Sequence, residues 1–370
     1  MYYLDNAATT QLTKEVKDRI IDVLDEYGNP SSIYSIGLRS RKIIEDARYA
    51  VAKFINAPAN SEIIFTSSGS SANCLAIKGL VENSENTIVL YSPTAHKSMI
   101  KCCESCKYKH KLKVDNNGFI DEKDLSHKLE EFRYENIIVC FELANSEIGT
   151  IQNLYDLTKL IHYYHGIVVV DITGYIPYKQ VNILDMDIDV ATFSGHKLHA
   201  LKGVGVLYKI SDINIQPLIY GTQENGYFAG TENVVGISSL GKAVETYSYN
   251  HVSTFQRDRL FRMIKERVPD CFLVGSRLHR LPMNLFICFP GCDSMQLVSL
   301  LEKDDIYVST GSACNNGSKQ PSNTLTSIGL SKEFYNSCIR ITFSGYENEL
   351  DLEYIADKIN KNVVFLRESN

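Results

Sequence analysis

The sequence predicts an α/β protein, in which a large domain on a mainly parallel sheet is joined to a smaller α+β domain. Three observations carry this. Short apolar runs alternate with helical patterns from residue 63 to residue 208. Past about residue 250 the runs shorten and lose that regular alternation. Nothing in the 370 residues approaches the roughly 18 consecutive apolar residues of a membrane helix.

The elements follow in order. Residues 1–12 contain Asp5-Asn6-Ala7-Ala8-Thr9-Thr10, a polar loop of small residues. Helical spacing runs from Thr13 to Tyr27 and again from Gly37 to Ile55. Between them, Tyr27-Gly28-Asn29-Pro30-Ser31-Ser32 has the composition of a loop. Strands are expected at Ile63–Thr66, Thr87–Tyr91, Ile137–Phe141, Ile167–Asp171, Val190–Phe193 and Val204–Tyr208. Helices are expected at Asn73–Glu82, His96–Cys106 and Leu154–Tyr164. A helix at Ser253–Arg267 precedes shorter strands at Cys271–Val274, Asn284–Phe289, Ile306–Ser309 and Ile339–Phe343. The large domain is therefore placed at residues 13–250, and the smaller one at 1–12 with 251–370. No internal repeat or long linker interrupts them.

Composition narrows the function. The net charge of −6 argues against a general nucleic-acid role. The N-terminus lacks a basic stretch followed by an apolar one, so no signal peptide is expected. Ten cysteines without an export signal read as reduced thiols in the cytoplasm. Cys102, Cys103 and Cys106 cluster, but no further ligands follow at a zinc-type spacing, so no metal site is expected.

The chemistry gathers where strands end. Lys197 stands just past the run Asp189-Val190-Ala191-Thr192-Phe193, and a desolvated lysine there is a nucleophile. Asp171 ends its own strand and is suited to a cationic ring nitrogen. Thr66-Ser67-Ser68-Gly69-Ser70-Ser71 brings hydroxyls and a glycine before a helix, a plausible phosphate cradle. His96 follows the next strand and is placed to stack on a planar ligand or to cap its helix. Taken singly, each has a plainer reading as a turn, a cap or an ion-pair partner. Together they are the set that holds pyridoxal 5′-phosphate: a lysine for the Schiff base, and an acid that keeps the ring nitrogen protonated. Further on, Cys314 lies in the small-residue loop Ser309–Ser318, a setting for a mobile thiol nucleophile or for an exposed spectator. Arg340 lies in the strand pattern Ser337–Phe343, either on a surface edge or as a fork for a carboxylate.

At these residues the chain resembles the cysteine desulfurases, within the class V aminotransferase group of fold-type I pyridoxal-phosphate enzymes. The resemblance covers essentially the whole length. Its motifs are Tyr3–Thr10, Tyr27–Ser32, Asn145–Gln152, Ser194-Gly195-His196-Lys197, Gly230-Thr231-Glu232-Asn233, and Gly311-Ser312-Ala313-Cys314 with Pro321-Ser322 beyond it. It implies a seven-stranded, mainly parallel sheet. It also implies a reaction in which L-cysteine gives L-alanine and a persulfide on Cys314, for transfer to a sulfur-acceptor protein. By position it implies that Lys197 bonds the cofactor and moves protons, Asp171 pairs with the ring nitrogen and His96 stacks on the ring. Gly69, Ser70, Ser194 and His196 would hold the phosphate, and Ser146 would lie near the ring hydroxyl. Thr231 would reach the phosphate of the other subunit of a homodimer. Arg340 would take the substrate carboxylate, with Asn29 in a substrate loop.

The chain departs from the family pattern around the cofactor. Ser146 stands where an asparagine is usual, and Gly174 where a glutamine is usual, both near the ring hydroxyl. Ser68-Gly69-Ser70-Ser71-Ala72 replaces Gly-Ala-Thr-Glu-Ser, and Phe228 replaces an arginine. These changes keep two other readings open. One is a C–S lyase or another amino-acid enzyme of the same fold; the other is a non-catalytic paralogue acting as a binding partner.

Overall fold

The computed structural model describes residues 1–84, 86–311, 322–345 and 351–369. Twelve strands are seen among them: β1 (Tyr2–Tyr3), β2 (Ile63–Thr66), β3 (Ile88–Tyr91), β4 (Lys109–Lys111), β5 (Ile137–Glu142), β6 (Ile167–Asp171), β7 (Val190–Ser194), β8 (Gly205–Lys209), β9 (Phe272–Leu273), β10 (Asn284–Cys288), β11 (Ile306–Tyr307) and β12 (Cys338–Thr342). Seven of them form one sheet in the order β2-β8-β7-β6-β5-β3-β4. Only β8 runs against its neighbours.

The central strands are apolar on both faces because helices cover both. Alternate residues Ile137, Val139 and Phe141 of β5 join one core with the helices Lys14–Val23, Ser35–Ile55 and Val234–Glu245. Ile138 and Cys140 join the opposite core, with the helices Gly69–Glu82 and Lys97–Glu104. A parallel sheet sandwiched in this way presents its carboxyl strand ends as a binding crevice.

One strand of the seven carries no apolar signal. β4 has the sequence Lys109-His110-Lys111 and pairs only with β3. An edge strand of that kind carries charge, not an apolar run, which is why no apolar pattern marks it. Helix starts also shift. The helix expected from Asn73 begins at Gly69, and the one expected from Ser253 begins at Phe255. Val234–Glu245 and Glu122–Glu131 are helices that the sequence pattern did not single out.

The later part of the chain forms a second, antiparallel sheet in the order β12-β10-β9. β1 pairs in parallel with β11, and Asp5 bridges to Thr342 of β12. Leu4 lies in the core formed with Leu260, Leu285, Ile341 and Ile355. The N-terminal strand thus ties to the C-terminal sheet, while Thr10 Oγ1 reaches forward to donate to the His196 carbonyl at 2.9 Å. Residues 2–10 thus link the C-terminal sheet to the turn that follows β7.

Candidate active site

A cavity of about 490 Å³ lies at the carboxyl ends of β5, β6 and β7. Its size falls within the usual range for small-molecule and cofactor sites. Lys197 reaches it from the single helical turn Gly195–Lys197 that follows β7. Every residue of β7 is buried, so the strand gives the lysine a rigid base.

Asp171, at the end of β6, is buried and lines the same cavity. Its carboxylate accepts from the Thr173 amide at 2.9 Å and from Asn73 Nδ2 at 2.8 Å. Asn73 is itself oriented by the Thr192 hydroxyl and by Ser98 Oγ at 3.1 Å. Two donors on one carboxylate fix its orientation. Beside Asp171 in register on β5 is a second buried carboxyl, Glu142, which accepts from Asn145 Nδ2 at 2.8 Å. Burial, and then the charge of Asp171, push the Glu142 carboxyl well above the usual carboxylate range. Glu142 was not among the residues the sequence singled out, nor was Asn73.

His96 caps the helix Lys97–Glu104, its Nδ1 accepting from the Ser98 amide at 3.2 Å, and its ring still lines the cavity. Capping and ring contact are compatible roles here. Burial lowers the His96 pKa, against the opposing pull of Asp171. The opposite wall carries Ser68, Gly69 and Ser70, at the start of the helix Gly69–Glu82. Ser68 is the N-cap, accepting from the Ser71 amide at 3.1 Å. The hydroxyl run is thus the first turn of the helix, which leaves helix N–H groups facing the cavity. Two glycines allow this close packing. A Cβ on Gly69 would meet the Ser194 side chain at 3.1 Å, and one on Gly205 would meet the Ser68 carbonyl oxygen at 2.3 Å. Ser194, His196 and Lys202 complete this wall.

Burial, then Lys197 and Lys202, hold the His196 ring far below its ordinary pKa of 6.5, at about 4. Between those pH values the unfolded chain binds a proton that the folded chain refuses, so stability falls as pH drops through the window. Melting curves of the parent and of His196→Gln check this. The parent should lose Tm more steeply between pH 6.5 and pH 4, and parallel curves would count against it.

Arg340 comes from β12 and is 3 % exposed. Nη2 donates to Asp5 at 2.6 Å and Nη1 to the Ser146 carbonyl at 3.2 Å. Its Nε has no partner among the described residues, nor has Oε1 of the buried Glu147. Both residues line the cavity. Buried donors and acceptors are almost always paired, so these two atoms are exceptions at the edge of the cavity. Glu147 Oε2 accepts from Ser322 Oγ at 2.6 Å, and Glu147 Oε1 lies 2.9 Å from where a Cβ on Gly311 would stand.

Ser146 and Gly174 both line the cavity. A Cβ on Gly174 would meet the Ala144 carbonyl oxygen at 2.4 Å, so no side chain fits there without a backbone shift. Asn29 and Thr231 are not brought to this cavity. Both are exposed, and Asn29 Oδ1 instead accepts from the Ser31 amide at 2.9 Å. Cys314 and Pro321 lie outside the described residues. Among the described residues no three His, Cys, Asp or Glu side chains are grouped to hold a metal, and no helix is long and apolar enough to cross a membrane.

A buried acid and a lysine at adjoining strand ends, facing a helix N-terminus, define a fold-type I pyridoxal-phosphate enzyme. The family model for class V aminotransferases matches residues 2–355, and the chain belongs to that family. It is similar to the cysteine desulfurase IscS of Dictyoglomus turgidum, at 37% identity over 99% of this chain and 95% of that protein. A cysteine desulfurase of Trichormus azollae is 33% identical over 99% of this chain and 93% of its own length. Among solved structures, a NifS-like protein from Rickettsia africae superposes with a TM-score of 0.89 at 27% identity, covering 98% of this chain and 99% of that one. A structure described as SspA in complex with cysteine gives 0.82 at 28% identity, covering 94% and 100%.

The cofactor of this family is pyridoxal 5′-phosphate. The cavity fits it: the helix start and hydroxyls suit the phosphate, Asp171 suits a ring nitrogen, and Lys197 lines the same cavity. Arg340 and Glu147 line the same cavity beside these groups.

Proposed function

We propose that this chain is a pyridoxal-phosphate-dependent cysteine desulfurase that converts L-cysteine to L-alanine and leaves the sulfur as a persulfide on Cys314. The observation that carries the reading is the one cavity that Lys197, Asp171 and the buried Arg340 line together, with Arg340 Nε lacking a partner among the described residues. When bound, the pyridoxal ring supplies an electron sink for charge developing on the substrate carbons.

The chain's own residues do the rest. Lys197 anchors the cofactor and then carries protons to and from the substrate carbons. Asp171 would pair with the ring nitrogen, with Asn73 and the Thr173 amide fixing its orientation. His96 would lie against the ring, and Gly69, Ser70, Ser194 and His196 would hold the phosphate. Ser146 is near the ring hydroxyl. Arg340 takes the substrate carboxylate. Cys314 attacks the substrate sulfur: an S–S bond forms, the C–S bond breaks, and its electron pair returns to carbon to be protonated. L-cysteine and the Cys314 thiol thus become L-alanine and the Cys314 persulfide, and the terminal sulfur then passes to an acceptor protein.

A homodimer is part of this reading. The stretch from residue 21 to 38 leaves Ile21, Leu24, Tyr27, Ile33, Tyr34 and Leu38 exposed, Ile33 by 90%. An apolar surface of that extent suits a second copy. Asn29 and Thr231, away from their own cavity, would then serve the partner's. The two-domain division at residues 13 and 250, and a cytoplasmic location, belong to the same reading.

The test is product analysis. The holoenzyme with L-cysteine and a thiol reductant, which reduces the Cys314 persulfide and releases its sulfur, should give alanine and sulfide in equal amounts, and Cys314→Ala should form neither persulfide nor alanine. Pyruvate with ammonia would instead identify a C–S lyase, and absence of any product would identify a non-catalytic paralogue.

A further inference from the structure

Behind the turn that carries Ser146 and Glu147 lies a second, larger cleft of about 1070 Å³. It opens between the helix Phe255–Arg267 and the segment 276–280. Six basic side chains line it: Arg257, Arg262, Lys265, Arg277, His279 and Arg280. Against them stand two acids, Asp258 and Glu266, and Arg257 already engages Asp258 at 2.7 Å. In a chain of net charge −6, this is a local concentration of positive charge.

Arg280 sets the cleft apart from an ordinary solvated patch. It is 5% exposed. Its Nε donates to the Ser276 carbonyl at 2.8 Å, Nη1 to Asn284 Oδ1 at 3.0 Å, and Nη2 to the Val274 carbonyl. All three acceptors are neutral. Among the described residues no carboxylate lies within ion-pair distance of it, and the charge it feels is that of another cation, Arg257. A buried guanidinium is normally matched by an anion. Among the described residues no such anion stands beside Arg280, which leaves its charge open to a carboxylate of a partner.

We propose that this cleft docks an acidic segment of a partner protein, one in which Asp or Glu alternates with apolar side chains. The charge calls for carboxylates over Arg280, Arg262 and Arg277. The remaining wall calls for apolar groups: Phe261, Leu273 and Leu285 line the cleft, and Leu278 stands 90% exposed at its rim. A bare phosphate would meet the charge and leave that wall wet. A nucleic acid would bring phosphates against Asp258 and Glu266 while gaining nothing from Leu278.

The cleft's place in the fold gives the docked segment a position close to the reaction. Asn284, which holds Arg280, donates through Nδ2 to the carbonyls of Ser146 at 3.4 Å and Glu147 at 3.3 Å. The same Ser146 carbonyl accepts from Arg340. A partner seated here would rest on the back of the active-site turn without covering the cavity. The inference is independent of the reaction proposed for that cavity.

The experiment is fluorescence anisotropy with the holoenzyme and a fluorescein-labelled peptide of repeating Glu-Glu-Phe. Binding should saturate, weaken with added salt, and weaken about tenfold or more in the double variant Arg262→Glu with Arg277→Glu. Both side chains are exposed, so the variant should keep its fold by circular dichroism and its turnover of L-cysteine with a small thiol as acceptor. Equal affinity for the double variant, or for a peptide with lysine in place of glutamate, overturns the proposal. So does a cleft that binds pyrophosphate or an oligouridylate at concentrations where the acidic peptide does not bind.

Discussion

Replacing Lys197 by alanine lowers turnover of L-cysteine by about 10⁴-fold, the upper end of what a positioned proton-transfer group contributes. It also removes the visible absorbance of the covalently held cofactor. The expectation rests on placement. β7 is buried along its whole length and delivers one amine to the cavity between Asp171 and the helix start at Gly69. Lys97 and Lys202 also line the cavity, but Lys97 starts the helix capped by His96 and Lys202 lies on the wall with Ser194. Neither follows the strand end, so neither substitutes for Lys197. Absorbance scans and single-turnover alanine assays on Lys197→Ala and Lys202→Ala separate these amines. Retained visible absorbance in Lys197→Ala, or turnover within tenfold of the parent, would sink the assignment. Lys202→Ala should keep the band.

The site was readable in part because strand ends are readable. A run of apolar residues that stops at a charged one places that charge at the crevice, and this located Lys197 and Asp171. The same signal was present at Glu142, where the run Ile137–Phe141 stops. It went unused because a strand-end glutamate has no place in the expected cofactor set; only the register beside Asp171 makes it matter. Asn73 was hidden differently. It lies inside a helix, and nothing in the local sequence says that its amide crosses to a strand 98 residues away. Arg340 was legible as a strand residue, but its bond to Asp5 depends on the N-terminal strand joining the C-terminal sheet. Asn29 and Thr231 show the opposite limit. Sequence order assigns them to a site without saying whose, and in this chain they lie outside the cavity. The edge strand Lys109–Lys111 escaped because one-sided pairing needs no apolar face.

Asp171→Asn carries the second large effect, a loss of about 10²- to 10³-fold in kcat, as expected when one preorganised electrostatic partner is removed. The substitution keeps the side-chain shape and one oxygen, which can still accept from the Thr173 amide. It turns the other oxygen into a donor, and that donor would face the Asn73 amide now 2.8 Å away. One of the two amides must then rotate, and Asn73 is held by the Thr192 hydroxyl. The introduced asparagine therefore has to yield, and the cavity loses both its anion and a fixed orientation. The loss spreads to Glu142. Part of what raises its carboxyl is the charge of Asp171, so removing that charge lets Glu142 ionise at lower pH. A carboxylate can thus reappear one strand away, without the geometry that faced the ring. This gives Asp171→Asn a signature that simple unfolding lacks. Cofactor still binds with its visible band, kcat falls more than KM rises, and the double variant Asp171→Asn with Glu142→Gln is slower still. If the double variant matches the single one, Glu142 does not take up the charge. If Asp171→Asn alone keeps kcat within tenfold, the ring nitrogen does not depend on this carboxylate.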